Sequence, residues 1–335
     1  MVQARARLAT YNTFRVDVTA DFFSAFRNVE ELLELLSKYC DTNRLILGGG
    51  SNILFTKDFN GLVLKNEITG IEIIDEDDDH IYVKVGAGAN WHQFILHCLD
   101  HGWAGVENLS LIPGSVGAAP IQNIGAYGVE FKDVFFELEA FEIAGNKVTI
   151  FTPNDCAFGY RDSVFKRTLK NRFVILSVTF CLNKIPRLNL TYGAIRQELA
   201  RMEVEEPDIR LVSQAVINIR NSKLPDPRIL GNAGSFFKNP VIDRVLFDQL
   251  KSEFPDIIGF DNQHDSVKLA AGWLIERCGW KGFRRNDAGC YEKQALVLVN
   301  YGHATGKEIL DLSEEISASV FSKFGIGMER EVNVI

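Results

Sequence analysis

The spacing of hydrophobic positions predicts two amphipathic helices in the first third of the chain. One runs from Val29 to Cys40, with Asn28 as its N-cap and Glu31 completing a capping box. The other follows Asn90, and its apolar stripe comprises Trp91, Phe94, Ile95, Cys98 and Leu99. Short apolar runs between them predict strands, so we expect this part of the chain to alternate strands with helices that pack on a sheet.

The predicted strands become longer after residue 134. Before it they cover 45–47, 53–55, 61–65, 71–74 and 81–85, and after it they cover 135–143, 147–151 and 173–182. The acidic stretch 75–79 is most simply a solvated hairpin loop. Because the later strands have few helices between them, they indicate an antiparallel sheet.

A charged, proline-terminated stretch at 203–207 is typical of a linker, so we place a domain boundary there. Beyond it helices dominate the prediction, at 208–220, 241–254, 266–278 and 305–324, with Gly325 as a C-cap, one strand at 295–300 and an extended tail at 328–335. A chain of 335 residues is long enough for two domains.

Composition and charge argue against nucleic acids and membranes as partners. Hydrophobic residues make up 46% and charged residues 24%, an ordinary globular mixture, and no apolar run reaches the length of a membrane-spanning helix or a secretory signal. A net charge of -8 opposes binding to phosphate backbones. We therefore expect a cytoplasmic protein with neither a nucleic-acid nor a membrane partner.

Cysteine and histidine positions give no sign of a metal site. The six cysteines are scattered without any C-x-x-C pair, which also argues against a disulfide framework. From the spacing of His92, His97 and His101 we expect no helical pair of metal ligands.

The 27 glycines are concentrated in a few segments. Gly48–Asn52 joins two strands and offers backbone N–H groups suited to a pyrophosphate, although a tight turn explains it equally well. The segment 86–90 looks like a dinucleotide fingerprint, but Trp91 replaces the third glycine and no parallel strand follows the next helix. A Rossmann domain is therefore disfavoured.

A longer segment at 112–128 contains four glycines, three alanines and two prolines, with almost no charge. This composition suits backbone wrapped closely against a large, flat, mostly neutral ligand whose edges are met by Gln122 and Asn123. A loop packed within its own domain is the alternative.

Candidate reactive groups lie in three polar segments. Residues 159–163 place Arg161 beside an aspartate, and residues 232–240 place Ser235 after a glycine and ahead of two aromatics. No Gly-x-Ser-x-Gly elbow is present, which disfavours a nucleophilic serine and leaves a proton donor or a capping serine open. The alternating charges at 328–332 are explained most simply by an exposed edge strand.

These segments, in this order, resemble the UDP-N-acetylenolpyruvoylglucosamine reductase family, flavoenzymes of peptidoglycan precursor synthesis. The resemblance includes 12–14, both glycine segments, 159–163, 220–225, 234–240 and 331–332. It implies an α+β fold, with a two-lobed FAD-binding domain of the PCMH or vanillyl-alcohol-oxidase type followed by a smaller α+β substrate-binding domain. The implied limits are 1–205 for the FAD domain (lobes 1–67 and 68–205), 206–327 for the substrate domain, and 328–335 for a tail that returns to the active site.

The activity that the resemblance implies is NADPH-dependent reduction of UDP-N-acetylglucosamine enolpyruvate to UDP-N-acetylmuramate through non-covalent FAD. In the family NADPH reduces the flavin, whose N5 then delivers hydride to the enol ether. By motif position Ser235 is implied as the proton donor, and Arg161 and Glu331 as the groups that stabilise the enol-type intermediate. The implied FAD contacts are Gly48, Gly49, Gly50, Ser51, Asn52, Ile112, Pro113, Gly114, Ser115, Gly117, Ala118, Ile121, Gln122, Asn123, Gly125, Ala126 and Tyr127.

Contacts to the UDP-sugar are implied for Tyr192, Lys223, Asn239 and Gln294, and we expect a monomer without a metal. Many relatives have an arginine where this chain has Asn333, which puts in question a phosphate or flavin contact often made there. A flavin oxidase is disfavoured because His92 is not placed to tether FAD. A non-catalytic nucleotide sensor is disfavoured because the three implied catalytic residues occur together.

Overall fold

The computed structural model describes residues 1–262 and 264–335. In chain order its strands are β1 Gln3–Arg7, β2 Thr19–Phe26, β3 Arg44–Leu47, β4 Ile53–Leu54, β5 Phe59–Asn66, β6 Ile71–Glu76, β7 His80–Gly86, β8 Gly125–Ala126, β9 Val129–Glu130, β10 Phe135–Glu142, β11 Lys147–Phe151, β12 Phe173–Asn183, β13 Gly231–Ser235, β14 Val241–Asp243, β15 Gly259–Asn262, β16 Ser266–Leu269, β17 Arg284–Arg285, β18 Ala288–Cys290, β19 Val297–Asn300 and β20 Asn333–Val334. Its α-helices are α1 Val29–Lys38, α2 Trp91–Asp100, α3 Pro153–Cys156, α4 Gly193–Arg201, α5 Ile209–Lys223, α6 Arg244–Glu253, α7 Ala271–Arg277 and α8 Gly306–Phe324.

Contacts divide the chain into two units, each built from separate stretches of sequence. The first comprises 1–6, 20–50 and 60–222, and the second comprises 7–19, 51–59 and 223–335. This division falls after residue 222 and not near 205, because α5 packs on α4: Ile195 and Leu199 share a buried cluster with Val212 and Val216. The limits of the functional domains stay a prediction.

The described part of the first unit contains three sheets, with strand orders β1-β2-β5-β3, β11-β10-β12-β7-β6 and β8-β9. The second sheet is antiparallel throughout, as predicted. Its core takes in the whole apolar stripe of α2, from Trp91 to Leu99. The predicted cap of α1 is also confirmed, since the side chain of Asn28 accepts a hydrogen bond from the backbone N–H of Glu31.

In the second unit, sheets of order β13-β19-β18-β17 and β14-β16-β15 accompany a parallel pair of β20 and β4. Helix α8 packs on β18 and β19 and buries Ile309, Leu312 and Ile316. Its predicted ends are confirmed, because Thr305 and Glu308 form a capping box and Gly325 adopts the left-handed conformation after the last turn.

Two helix predictions in this unit are wrong at their N-terminal ends. Residues 241–243 and 266–269 form β14 and β16, which pair antiparallel with Val241 opposite Lys268, and α6 and α7 begin only after them. Strand β14 is stabilised by a partner distant in sequence, and β16 lies between β14 and β15, whereas helical spacing reflects only neighbouring residues. Strands β1 and β2 and helix α4 were not predicted.

The expectation about histidine spacing is also wrong for one pair. His97 and His101 lie four residues apart at the end of α2, their ring centroids are 4.2 Å apart, and Nδ1 of His101 donates to the carbonyl oxygen of His97 at 2.8 Å. Within residues 1–262 and 264–335, no group of three or more His, Cys, Asp or Glu side chains is arranged to hold a metal ion. None of the helices described here has the length and hydropathy needed to cross a membrane.

Candidate active site

In the first unit, the two glycine segments implied as cofactor contacts touch through their backbones. Gly49 follows β3, and a Cβ atom added to it would lie 2.8 Å from Cα of Gly114 and 3.0 Å from its carbonyl carbon. Side-chain carbons do not approach other atoms so closely, so only glycine permits this contact. The structure therefore brings these two sequence-distant segments together.

Main-chain hydrogen bonds hold the longer segment in place. Its implied FAD contacts lie in the loop 112–115 (Ile112, Pro113, Gly114, Ser115), in 3₁₀ turns at 116–118 and 120–122 (Gly117, Ala118, Ile121, Gln122), and in and just after β8 (Gly125, Ala126, Tyr127). The N–H of Gly117 donates to the carbonyl of Ala87 at 2.8 Å, and the N–H of Val116 donates to that of Ala89 at 2.9 Å. Thus 86–90, disfavoured as a dinucleotide fingerprint, supports this segment.

The side chain of Asn123 serves the loop's own architecture. It is fully buried, its Nδ2 donates to Oε2 of Glu130 at 3.1 Å and to the carbonyl of Gly159 at 3.0 Å, and its Oδ1 accepts from the N–H of Lys132 at 3.0 Å. A buried amide with these three partners fixes the surrounding backbone. Asn123 therefore shapes the segment through its side chain.

Arg161 lies against the same segment. Its guanidinium donates to the carbonyl oxygen of Asn123 at 3.3 Å and to that of Gly125, and it stands 5.3 Å from the ring centroid of Tyr160. Arg161 itself has a positive φ of 53°, a conformation uncommon outside glycine and asparagine. The structure thus places an implied catalytic cation on the loop implied to hold the cofactor.

Tyr127 and Tyr192 form an edge-to-face pair with ring centroids 5.3 Å apart. Burial raises the pKa of the Tyr127 hydroxyl, whereas Tyr192, before the first residue of α4, is exposed. An implied cofactor contact and an implied substrate contact are therefore neighbours.

Two polar side chains beside Tyr127 that carry buried, unpaired atoms were not assigned roles from the sequence. Nε of Arg220 is buried and has no hydrogen-bond partner in the described part of the chain, and burial lowers the pKa of this guanidinium. Nδ2 of Asn108 donates to the carbonyls of Tyr127 and Asn189, each at 2.9 Å, while its buried Oδ1 has no partner among the described residues. The signal for Arg220 was its position four residues after Val216, on the apolar face of α5.

A buried hydrogen-bond donor or acceptor without a partner destabilises the folded protein, unless a bound ligand supplies the missing hydrogen bond. Arg220 and Asn108 are both close to Tyr127 and belong to the unit that contains the contacting glycine segments. Unpaired polar groups and closely packed backbone suit a large heteroaromatic cofactor with polar edges, so the residues present fit FAD.

In the second unit, Ser235 ends β13 just after an irregularity in the sheet. The pairing of β13 with β19 shifts register between Asn232 and Ser235, and Gly234 there has φ of +70°. The N–H of Gly234 donates to Oδ1 of Asn232 at 2.9 Å, which fixes the bulge. Phe236, next in the chain, is fully buried, so Ser235 stands at the edge of a rigid element.

Glu331 is brought beside this element by the tail, residues 328–335. Its N–H donates to the carbonyl of Phe236 at 2.8 Å, and the N–H of Lys238 donates to the carbonyl of Glu329 at 2.9 Å. These bonds flank an isolated antiparallel bridge between Phe237 and Arg330, which holds the tail close to Ser235. Two of the three implied catalytic residues are thus neighbours within one unit, and the third, Arg161, belongs to the other.

Asn239 and Gln294 each lie at the first turn of α7. Oδ1 of Asn239 accepts from the N–H of Ala271 at 3.0 Å, and a Cβ atom added to Gly272 would lie 2.8 Å from Oε1 of Gln294. Lys223, another implied substrate contact, is the exposed last residue of α5.

Comparison with known proteins decides the family. A relative from Flavobacterium johnsoniae, named UDP-N-acetylenolpyruvoylglucosamine reductase, is 49% identical over 335 residues, which cover 100% of this chain and 99% of the relative. The chain belongs to the UDP-N-acetylenolpyruvoylglucosamine reductase family. A relative of the same name from Pseudomonas syringae pv. tomato is also 49% identical and covers 99% of the chain and 98% of the relative.

Matches to domain families and to a solved structure agree with this membership. Residues 20–150 match the FAD binding domain family, and residues 226–335 match the UDP-N-acetylenolpyruvoylglucosamine reductase, C-terminal domain family. The crystal structure of the reductase from Thermus caldophilus is 23% identical, covers 100% of this chain and 98% of its own, and superposes with a TM-score of 0.70. The α+β fold expected for the family, with a PCMH-type FAD-binding domain and a second domain after it, is confirmed.

Proposed function

We propose that the protein reduces UDP-N-acetylglucosamine enolpyruvate to UDP-N-acetylmuramate with NADPH, through non-covalently bound FAD, in peptidoglycan precursor synthesis. Full-length identity of 49% to a reductase of this name is the observation that carries the activity. The placement of Glu331 beside the Ser235 element supports the assignment of residues.

When bound, FAD supplies hydride that originates from NADPH. Reduction of the enol ether adds hydrogen at two carbons, so the carbon beside the carboxylate also needs a proton from the protein. A carbanion at that carbon is basic enough to take a proton from an unassisted serine hydroxyl. We assign this donation to Ser235, which a rigid, bulged strand end holds in place.

Negative charge that develops on the substrate carboxylate requires cationic or hydrogen-bonding partners. We assign this role to Arg161 and Glu331. Arg161 supplies a permanent positive charge and is steadied by the carbonyls of Asn123 and Gly125. Glu331 takes part in its protonated form or by engaging the arginine, because an isolated carboxylate would repel the developing charge.

The other site residues are assigned to binding of FAD or of the UDP-sugar. Residues 48–52 and 112–127 hold FAD, together with the buried groups Asn108 and Arg220, and the side chain of Asn123 supports this loop from behind. Tyr192, Lys223, Asn239 and Gln294 contact the UDP-sugar, which is supported by the shared location of the last two at α7. We further propose that the protein works in the cytoplasm, where NADPH and nucleotide sugars are available, and that it works as a monomer.

Separate measurement of the two half-reactions tests the role of Ser235. Ser235→Ala should leave flavin reduction by NADPH nearly unchanged and slow flavin reoxidation by the enolpyruvyl substrate about 10²- to 10⁴-fold, as expected for a lost proton donor. Anaerobic stopped-flow absorbance resolves both steps. Ser37→Ala, which changes an exposed serine on α1, is the matched control and should alter neither. Equal slowing of both half-reactions would assign Ser235 a structural role.

A further inference from the structure

Hydrogen bonds tie two residues of the tail to Asn52. The main-chain N–H and the side-chain Nδ2 of Asn333 both donate to the carbonyl oxygen of Asn52, each at 3.1 Å. In return, Nδ2 of Asn52 donates to the carbonyl oxygen of Glu331 at 3.3 Å. We call this set of bonds between residues 52, 331 and 333 the asparagine clasp.

The clasp lies between two stretches of regular pairing. On one side Glu331 is bonded to Phe236, and on the other β20 pairs in parallel with β4, placing Asn333 opposite Ile53. Beyond it the carbonyl of Ile335 accepts from both the N–H and Oγ1 of Thr56 at 2.8 Å. Hydrogen bonds on both sides therefore hold the backbone of Glu331, and the clasp adds side-chain amide donors to the carbonyl oxygens of Asn52 and Glu331.

We propose that Asn333 and Asn52 are positioning residues for Glu331, acting on its backbone through the clasp. The inference rests on the proposed function, because it takes the role of Glu331 in the reaction as given. Glu331 interacts with negative charge that develops on the substrate during the reaction, so its carboxyl group must already be in position. A displacement of such a group by about 1 Å can lower the rate about 10²-fold.

The chemistry of residue 333 supports this role. Asn333 carries a neutral amide, and its Nδ2 donates to the carbonyl oxygen of Asn52. Its side chain thus duplicates the hydrogen bond that its own backbone makes. Such duplication on one acceptor restrains the chain direction at 333 more than the backbone bond alone.

A double-mutant cycle on the FAD-loaded enzyme tests the proposal. Asn333 is the residue to change, because Asn52 is also an assigned cofactor contact. Asn333→Ala should slow flavin reoxidation by the enolpyruvyl substrate about two- to tenfold, the value of one hydrogen bond, and leave reduction by NADPH unchanged. In a Glu331→Gln background the same change should have no further effect, because the group that the clasp positions is already disabled. Asn154→Ala, at an exposed asparagine in α3, is the matched control.

Hydrogen–deuterium exchange of the FAD-loaded enzyme provides a readout that does not depend on activity. Asn333→Ala should speed exchange of the amides at 331–335 and leave the amides of β13 and β19 unchanged. Unchanged exchange at 331–335 would overturn the clasp itself. If Asn333→Ala slows reoxidation equally in the unmodified enzyme and in Glu331→Gln, Asn333 does not act through Glu331. The same conclusion follows if it slows flavin reduction as much as reoxidation. If Glu331→Gln alone leaves reoxidation unchanged, the proposed role of Glu331 fails, and the positioning role fails with it.

Discussion

Gly49→Ala is the substitution that most directly tests the contact between the two glycine segments. The new methyl group would lie 2.8 Å from Cα and 3.0 Å from the carbonyl carbon of Gly114, and 3.3 Å from the backbone nitrogen of Ser115. All three are backbone atoms, which no rotamer change can move aside. The segments must therefore separate by several tenths of an ångström to admit the methyl group.

Overpacking of this kind costs about 1–3 kcal/mol. If the cost falls on the arrangement that binds FAD, the dissociation constant rises roughly five- to 150-fold, since about 1.4 kcal/mol is a factor of ten. Titration of apoprotein with FAD, followed by quenching of flavin fluorescence, measures this constant directly. Gly327→Ala is the matched control, because a Cβ atom there meets nothing within 4 Å. An FAD affinity for folded Gly49→Ala within about twofold of the unmodified protein would refute the reasoning.

Two further predictions concern the partly buried side chains of Arg220 and His92 in the first unit. Arg220→Met should raise the thermal unfolding midpoint of the apoprotein, because it removes a guanidinium whose buried Nε is unpaired in the described structure. The same change should weaken FAD binding. Calorimetry with and without FAD measures both effects, and a lower midpoint of the apoprotein would contradict the prediction. Burial and the nearby Arg220 lower the pKa of His92, whose Nδ1 accepts from the N–H of Leu111. The unfolded chain takes up this proton below about pH 6.5 more readily than the folded chain, so stability should fall as the pH drops through that range. His92→Gln should flatten this part of the dependence in urea unfolding between pH 5 and pH 8, and an identical pH dependence would count against the assignment.

Elements with strong local signals were predictable from the sequence. Helices α1, α2 and α8 combine an apolar stripe with a capping side chain, and the strands of the antiparallel sheet are long and rich in β-branched and aromatic residues. Strand β14 was not predictable, because its partner β16 lies more than twenty residues away. Strand β16 also pairs with β15, directly before it in the chain, and the helical interpretation of residues 266–278 missed this pairing. Helix α4 was missed because its apolar stripe is short, with Ile195 and Leu199 as its buried residues.

Some residues of the site were likewise predictable from the sequence, and others were not. Motif order was enough to single out Ser235, Glu331 and the glycine segments, because each depends on residues close together in the chain. The contribution of Arg220 and the internal use of Asn123 depend on which side chains are buried together, and that is decided by tertiary packing. The hydrogen bonds between Asn52 and the tail join positions 279 or more residues apart, so no local sequence pattern predicts them.

The most direct test of the central claim is the anaerobic absorbance spectrum of the purified protein. We expect a yellow protein whose oxidised-flavin absorbance is bleached by NADPH and restored by UDP-N-acetylglucosamine enolpyruvate, with UDP-N-acetylmuramate as the product. A folded protein that binds no flavin, or one whose bleached flavin is not reoxidised by this substrate, would contradict the proposed function.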